Sequence, residues 1–236
     1  MFNEDFRTGS VKIEDNSVSL LFLDLPYGTT QNKWDTIIPF EDVWKVANRI
    51  LKPNGVVVFT AAGLFTSKVI MSNPSMYKYS LIWQKTHKTN FLNCKKQFLR
   101  SHEDIIVMYN KQPTFNPIIT TGHKRKVSTA EHKRNSKDTT NYGKCVKVGY
   151  DSTERFSGSV LTFANDKQKS SINPTQKPLS LIEQLVSVYT NEGELVADFT
   201  AGSFTSGLAS KNLKRKYIGF EICQEQFSKA LERVFA

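Results

Sequence analysis

Cysteine is scarce in this chain: Cys94, Cys145 and Cys223 are the only three, and they lie far apart. No CxxC pair exists, which removes the usual spacing of a structural zinc site and fits a reducing compartment. The four histidines, His87, His102, His123 and His132, show no metal-ligand spacing either, so no metal is expected. No apolar run approaches the roughly 18 residues that a membrane-spanning helix needs. The first residues, MFNEDFRTGS, lack a basic segment followed by an apolar one, so no secretory signal is expected and the cytoplasm is the expected location. No internal repeat is found.

Positive charge, by contrast, is abundant. The 236 residues carry 32 Lys and Arg against 22 Asp and Glu, a net charge of +10, which favours a polyanionic partner, nucleic acid first. The excess is concentrated. Residues 111–170 hold twelve basic residues against five acidic ones, and the stretch is rich in Ser, Thr, Asn and Gly with little apolar periodicity. It reads as a loop-rich insertion made for contact, part of it a solvated loop. The remaining length suits one α/β domain.

Apolar patterning orders the rest. VSLLFLD (18–24) is a continuous apolar run ending in an acid, as in a strand buried on both faces. Val43, Ala47, Ile50 and Leu51 mark a helix that Pro53-Asn54-Gly55 stops. VVVFT (56–60) predicts a strand, 62–72 a helix and 79–84 a strand. Residues 85–103 read as a polar loop bearing Lys85, Lys88, Lys95, Lys96 and Arg100, followed by a strand DIIVMY at 104–109. Residues 178–190 predict a helix, LVADF (195–199) a strand, 204–212 a helix, KYIGFE (216–221) a strand, and Phe227 to Phe235 a last helix. Alternating strands and helices predict a doubly wound, mostly parallel α/β sheet, Rossmann-like in form. Ligands in such sheets sit beyond the carboxyl ends of the strands, where Asp24, Asp198 and Glu221 fall.

Three constellations carry chemistry. Asp24-Leu25-Pro26-Tyr27-Gly28 offers a carboxylate and the Leu25 carbonyl as acceptors, a proline-stiffened turn and a flat ring. Such acceptors would localise the lone pair of an aryl amine, and the ring would stack on an extruded base. The plainer reading is a strand end with an Asp cap and a proline turn. Asp198-Phe199-Thr200-Ala201-Gly202-Ser203-Phe204 is a small-residue turn into a helix, able to bring backbone N–H groups close to a ligand. Glu221 comes 19 residues after Gly202 and ends the next strand, where an acid can meet ribose hydroxyls. The plainer reading is a βα turn capped by Ser203. Asn173-Pro174-Thr175-Gln176-Lys177-Pro178 reads both as a helix start and as a ligand-binding segment.

With these motifs in this order, the chain resembles the β-group S-adenosylmethionine-dependent DNA amino-methyltransferases, the adenine-N6 and cytosine-N4 enzymes of bacterial and phage modification systems. ILKPNGVVVF (50–59), IWQKT (82–86), NFLNCKKQFLRSHEDIIVMY (90–109), NPTQKPLSLIEQL (173–185) and YIGFEI (217–222) extend the similarity over nearly the whole chain. The resemblance implies a catalytic half at 1–110 with Asp24, Leu25, Pro26 and Tyr27 at its centre. It implies a target-recognition insertion at 111–170 and a cofactor-binding half at 171–236. Asp198, Thr200, Gly202, Ser203, Glu221, Thr175, Lys177 and Asp5 are the implied contacts of S-adenosylmethionine, with Asp198 near its ammonium and Lys177 facing its carboxylate. Asn3 would border the same pocket, and Trp34 would wall the base pocket or sit in the core.

The initial Asp24 resembles the adenine branch, so adenine N6 in double-stranded DNA is the implied target after base flipping. Cytosine N4, an RNA or protein amide, and a catalytically inactive DNA-binding relative are the alternatives. Lys124, Arg125, Lys126, Lys133 and Arg134 are the candidate phosphate contacts; Arg134, Asn135, Asn141 and Arg155 are candidates for base edges. His102-Glu103 reads as structural or DNA-facing. A homodimer and a cognate restriction nuclease are partners the resemblance leaves open. Three positions depart from the family pattern. Leu25 replaces the commoner proline, Thr200 stands at a position that is usually aromatic, and Phe204 stands where a second glycine is expected and threatens to fill the cofactor pocket.

Overall fold

The computed structural model describes residues 1–29, 35–129, 149–165 and 176–235, in two compact units, Met1–Asn116 with Ser159–Ala236 and Pro117–Gly158. The larger unit holds a seven-stranded sheet among its described residues. Its strands are β1 (Val18–Leu23), β2 (Leu51–Ala61), β3 (Tyr77–Thr89), β4 (Arg100–Tyr109), β9 (Val160–Phe163), β10 (Leu195–Asp198) and β11 (Lys216–Gly219). Their spatial order is β11-β10-β1-β2-β4-β3-β9. Among the described residues the α-helices are α1 (Phe6–Gly9), α2 (Phe40–Ile50), α3 (Leu64–Ser72), α4 (Leu179–Tyr189), α5 (Thr205–Asn212) and α6 (Gln224–Phe235).

The mostly parallel α/β sheet expected from the sequence is present. β1 runs parallel to both β2 and β10, β10 to β11, and β3 to β9; β4 is antiparallel to β2 and β3. All six residues of β1 are buried, so this interior strand is covered on both faces. α2 turns Val43, Trp44, Val46, Ala47 and Ile50 into the core, the stripe that its 3.6-residue period lays out. Burying a side chain of that size contributes about 1.5–3 kcal/mol.

Two local expectations need correction. Residues 85–103 are not simply a loop: β3 continues to Thr89 and β4 begins at Arg100, so the two strands form a long arm with a turn at 90–99. The arm extends beyond the packed part of the sheet, its side chains there are largely exposed, and no apolar alternation marks it. Lys52 to Gly55 do more than end α2. They are extra residues on β2, since Val18 pairs with Leu51 and Leu20 already with Val56.

Among its described residues the smaller unit contains two two-stranded antiparallel sheets, β5 (Ile119–Thr120) with β8 (Arg155–Phe156) and β6 (Lys126–Ser128) with β7 (Tyr150–Ser152). Arg155 donates to the carbonyls of Ser152, Glu154 and Lys124, tying the ends of these strands together. Among the described residues no helix is long and apolar enough to cross a membrane.

Candidate active site

The site follows from strand order. β1 and β10 are neighbours in parallel register, with Phe22 opposite Asp198, and β11 places Gly219 opposite Asp198 on the far side. The three acids read from the sequence, Asp24, Asp198 and Glu221, therefore leave the same sheet edge from adjacent strands. A cleft of about 700 Å³ opens there, lined by Asp5, Asp24, Tyr27, Lys177, Asp198 and Glu221 among others. That volume suits a small-molecule ligand. The two loops also touch directly: the Thr200 hydroxyl donates to the Asp24 carbonyl at 3.2 Å.

On the β1 side, Asp24 is tightly held. Its carboxylate accepts from the Thr60 hydroxyl at 2.5 Å and from the Lys177 ammonium at 2.7 Å, with the Tyr27 hydroxyl at 3.3 Å. Lys177 also lies 3.6 Å from Glu103, which pairs with Lys85 at 2.5 Å. Lys177 thus lies on Asp24, where the sequence reading turned it toward a cofactor carboxylate. Burial works to lower the Lys177 pKa, but Asp24, then Tyr27 and Glu103, outweigh it and push the ammonium above its ordinary range. Burial likewise works to raise Glu103, and Lys177 and Lys85 outweigh it and hold its carboxyl low. Charged side chains inside a protein are stable only when paired in this way.

Tyr27 walls the cleft, but one neighbour is already in place: it stacks on Phe65 at 4.9 Å, and burial pushes its phenol well above the usual range. The Asp24 loop is fixed from below by Asp35, whose carboxylate oxygens accept from the Gly28 and Thr29 N–H groups, each at 2.8 Å. Gly28 sits at φ +66°, and a Cβ there would come within 2.8 Å of Ile37. Leu25 is buried, so its side chain belongs to the core and its backbone to the loop.

On the β10 side, Asp198 is 2% exposed and accepts from the Ser206 hydroxyl at 2.5 Å and the Thr200 N–H at 3.0 Å. Desolvation raises its pKa to about 7 against these hydrogen bonds, and Asp24 and Glu221 push the same way. Glu221 accepts from the Gly202 and Cys223 N–H groups at 2.8 Å and so shapes the turn. The Ser203 hydroxyl turns to Thr205 at 3.0 Å. Phe204 does not fill the cleft. It takes φ +52°, a conformation that favours glycine, and its fully buried ring packs against Tyr217 and Phe227. The left-handed backbone costs about 1–2 kcal/mol, which burial of an aromatic ring can offset.

The remaining candidates are spread more widely. Asp5 reaches the cleft wall but also caps α1 and pairs with Arg7 at 2.6 Å, which holds its pKa low. Asn3 donates to the Glu221 carbonyl at 2.7 Å. Lys124, Arg125 and Lys126 are exposed in the smaller unit, where Arg125 forms a two-pronged pair with Asp151. Thr175, Lys133, Arg134, Asn135, Asn141 and Trp34 lie outside the described residues. Sequence reasoning gave no site role to Thr60, Glu103 and Asp35, which meet the Asp24 loop, or to Lys85, which pairs with Glu103. It also missed Gln176, a cleft residue whose buried Oε1 has no partner among the described residues.

The chain matches the family model described as DNA methylase over residues 18–232. It is 27% identical to the type II methyltransferase M.HpaI of Haemophilus parainfluenzae over 237 residues, covering 94% of this chain and 69% of that one. It is 25% identical to the DNA adenine methyltransferase YhdJ of Escherichia coli K12 over 241 residues, covering 94% and 78%. Among solved structures, the fold resembles that of the M1.HpyAVI–SAM complex, with a TM-score of 0.67, 20% identity and coverage of 100% and 98%. It also resembles PvuII DNA methyltransferase, described as cytosine-N4-specific, with a TM-score of 0.71, 16% identity and coverage of 99% and 85%.

Proposed function

Since the chain belongs to the DNA methylase family, we propose that it transfers a methyl group from S-adenosylmethionine to adenine N6 in double-stranded DNA. The observation that carries this reading is the junction of the two loops: Thr200 bonds the Asp24 carbonyl across one cleft whose two ends differ in chemistry. One end holds acceptors for an amine; the other holds a buried carboxylate. Asp24 at the head of the DLPY motif and the similarity to a DNA adenine methyltransferase favour adenine over cytosine. The setting is the cytoplasm of a bacterial or phage-infected cell.

The residues fit the cofactor. Asp198 is buried and pairs with no cation among the described residues, so a cationic ligand would relieve its desolvation. Glu221, Gly202 and Thr200 line the same end. S-adenosylmethionine supplies an electrophilic methyl carbon when bound there. The rest falls to the chain. Asp24 and the Leu25 carbonyl accept from the target amine and hold its lone pair toward the cofactor end of the cleft. Lys177 holds the Asp24 carboxylate in place, and Tyr27 walls the base. Positioning and aimed acceptors provide the rate.

Digestion of DNA from cells expressing the protein tests this directly. N6-methyladenine is expected; N4-methylcytosine would move the target to the sister chemistry, and unmodified DNA would overturn the reading.

Asp198 adds a pH dependence. Its carboxyl titrates near 7 and must be ionised to meet a cation, so below that value binding has to expel a proton. Affinity for S-adenosylmethionine is expected to rise as pH is raised from 6 toward 8, by up to about tenfold per unit on the acid side. Calorimetry in two buffers of different ionisation heat reads the released proton. Asp198→Asn should weaken binding and remove that proton; an unchanged pH slope in the variant would refute the role.

A further inference from the structure

The β3–β4 arm carries a feature that the methyl-transfer site does not use. Its turn, residues 90–99, exposes Phe91 at 73%, Leu92 at 97% and Phe98 at 100%. The turn is built rather than loose: Asn90 takes a left-handed conformation, its side-chain oxygen accepts from the Asn93 amide at 2.7 Å, and Cys94 and Gln97 close backbone bonds at 3.0 Å. Single exposed apolar residues are ordinary, but three on one ordered turn form a surface in want of a partner. Exposed Lys88, Lys95, Lys96 and Arg100 lie among them along the chain, and residues 84–101 contain no acid at all. Apolar side chains ringed by cations match a duplex, whose stacked bases lie between phosphate rows.

The placement of the arm is the second argument. Its base carries Lys85 and Glu103, which join the Asp24–Lys177 cluster. β3 bulges between Gln84 and Thr89, since Gln84 pairs with His102 and Thr89 with Arg100, so the turn begins only about 10 Å beyond Glu103 as measured along β4. The turn therefore stands off from the target-base end of the cleft by a few base-pair steps, on the same pair of strands.

Building on the proposed function, we infer that the 90–99 turn is a wedge that enters the duplex beside the target base. Phe91, Leu92 and Phe98 stack in the gap that the extruded base leaves, and Lys88, Lys95, Lys96 and Arg100 hold the flanking phosphates. Extrusion costs the enzyme a paired and stacked base, and an apolar insert returns part of that stacking.

The test uses the full chain carrying Phe91→Ser and Phe98→Ser together, with thermal melting to show that these exposed changes leave the fold intact. Two duplexes carry the site found by modification-sensitive sequencing, one fully paired and one mismatched at the target base. On the paired duplex the double variant should lose about tenfold or more in kcat/KM, and on the mismatched one it should come within about threefold of wild type. With 2-aminopurine at the target position and S-adenosylhomocysteine present, wild type should raise the fluorescence and the variant should not. Equal losses on both duplexes, or no loss, would overturn the wedge. So would sedimentation of wild type as a dimer and the variant as a monomer, since a second copy would then cover the turn. Wild-type enzyme that modifies neither duplex would instead defeat the function reading itself.

Discussion

Asp24→Ala is expected to lower the single-turnover rate of methyl transfer about a thousandfold, with S-adenosylmethionine affinity within about threefold of wild type. The size of the effect follows from what the carboxylate does. It is aimed by two short hydrogen bonds, from Thr60 and Lys177, and needs no rearrangement to accept from an amine. Alanine leaves only the Leu25 carbonyl at that position. Among the described residues it leaves Lys177 with Glu103 at 3.6 Å and the Tyr27 ring at 5.7 Å, so the cation stays buried and turns an attractive site into one that repels the developing positive charge on the amine. Cofactor affinity is spared because Asp198 and Glu221 stand on other strands and are held by their own N–H and hydroxyl donors. Asp24→Asn separates acceptor from charge: it keeps a carbonyl oxygen but directs it to Lys177, and should fall between alanine and wild type. Rapid-quench assays with labelled cofactor give the rates, and calorimetry gives the affinity. An alanine variant within about tenfold of wild type would remove Asp24 from the chemistry.

The part of this site that lies on strand ends was legible in the sequence, and the part that lies between elements was not. VSLLFLD and LVADF announce buried parallel strands by continuous apolar character, and each ends in its acid, so Asp24 and Asp198 could be paired before any coordinates. Thr60, Lys85 and Glu103 carry no such signal. Each is one polar residue at the end of a strand or on an arm; Thr60 reaches Asp24 because β2 lies beside β1 with Leu23 opposite Phe59, and Lys85 and Glu103 come together because β4 enters antiparallel between β2 and β3. Strand order of that kind is set by long-range pairing, which local periodicity does not encode. Phe204 shows the opposite limit. The substitution of an expected glycine was visible, but its consequence depended on the direction of the ring, and that is decided by the apolar groove that Tyr217, Phe227 and Ala230 offer behind the turn. Asp35 falls between these cases. Its position after the DLPY loop is plain in the sequence, but an aspartate there suggests only a turn, and its grip on the Gly28 and Thr29 N–H groups depends on how the loop folds back.

Lys177→Met is the second large effect, and its mark is a changed pH profile. In the wild-type chain the ammonium stands between Asp24 and Glu103, and its raised pKa keeps it charged throughout the working range. Methionine fills similar space without the charge. Glu103 keeps Lys85, but the cation between the two carboxylates is gone, and burial together with their mutual repulsion favours one proton held on the pair. A protonated Asp24 donates where it should accept, so transfer requires that proton to leave. The rate constant of the variant should therefore be about a hundredfold down at neutral pH and should climb by up to tenfold per pH unit as the pair ionises. The direction is set by the group involved: losing a cation stabilises the protonated acid, so activity returns toward alkaline pH. Over the same interval the wild type should show no such climb. Removal of a buried partner also weakens the fold by about 3–5 kcal/mol, so melting temperatures must accompany the rates. That penalty alone would grow as the pair ionises and so lower activity toward alkaline pH, whereas the loss of an acceptor at Asp24 tilts the profile the other way. Lys177→Arg, which restores the charge with a bulkier head, should recover the wild-type profile shape even where its rate stays low. A Lys177→Met profile parallel to wild type from pH 6 to 9 would reduce Lys177 to a structural residue.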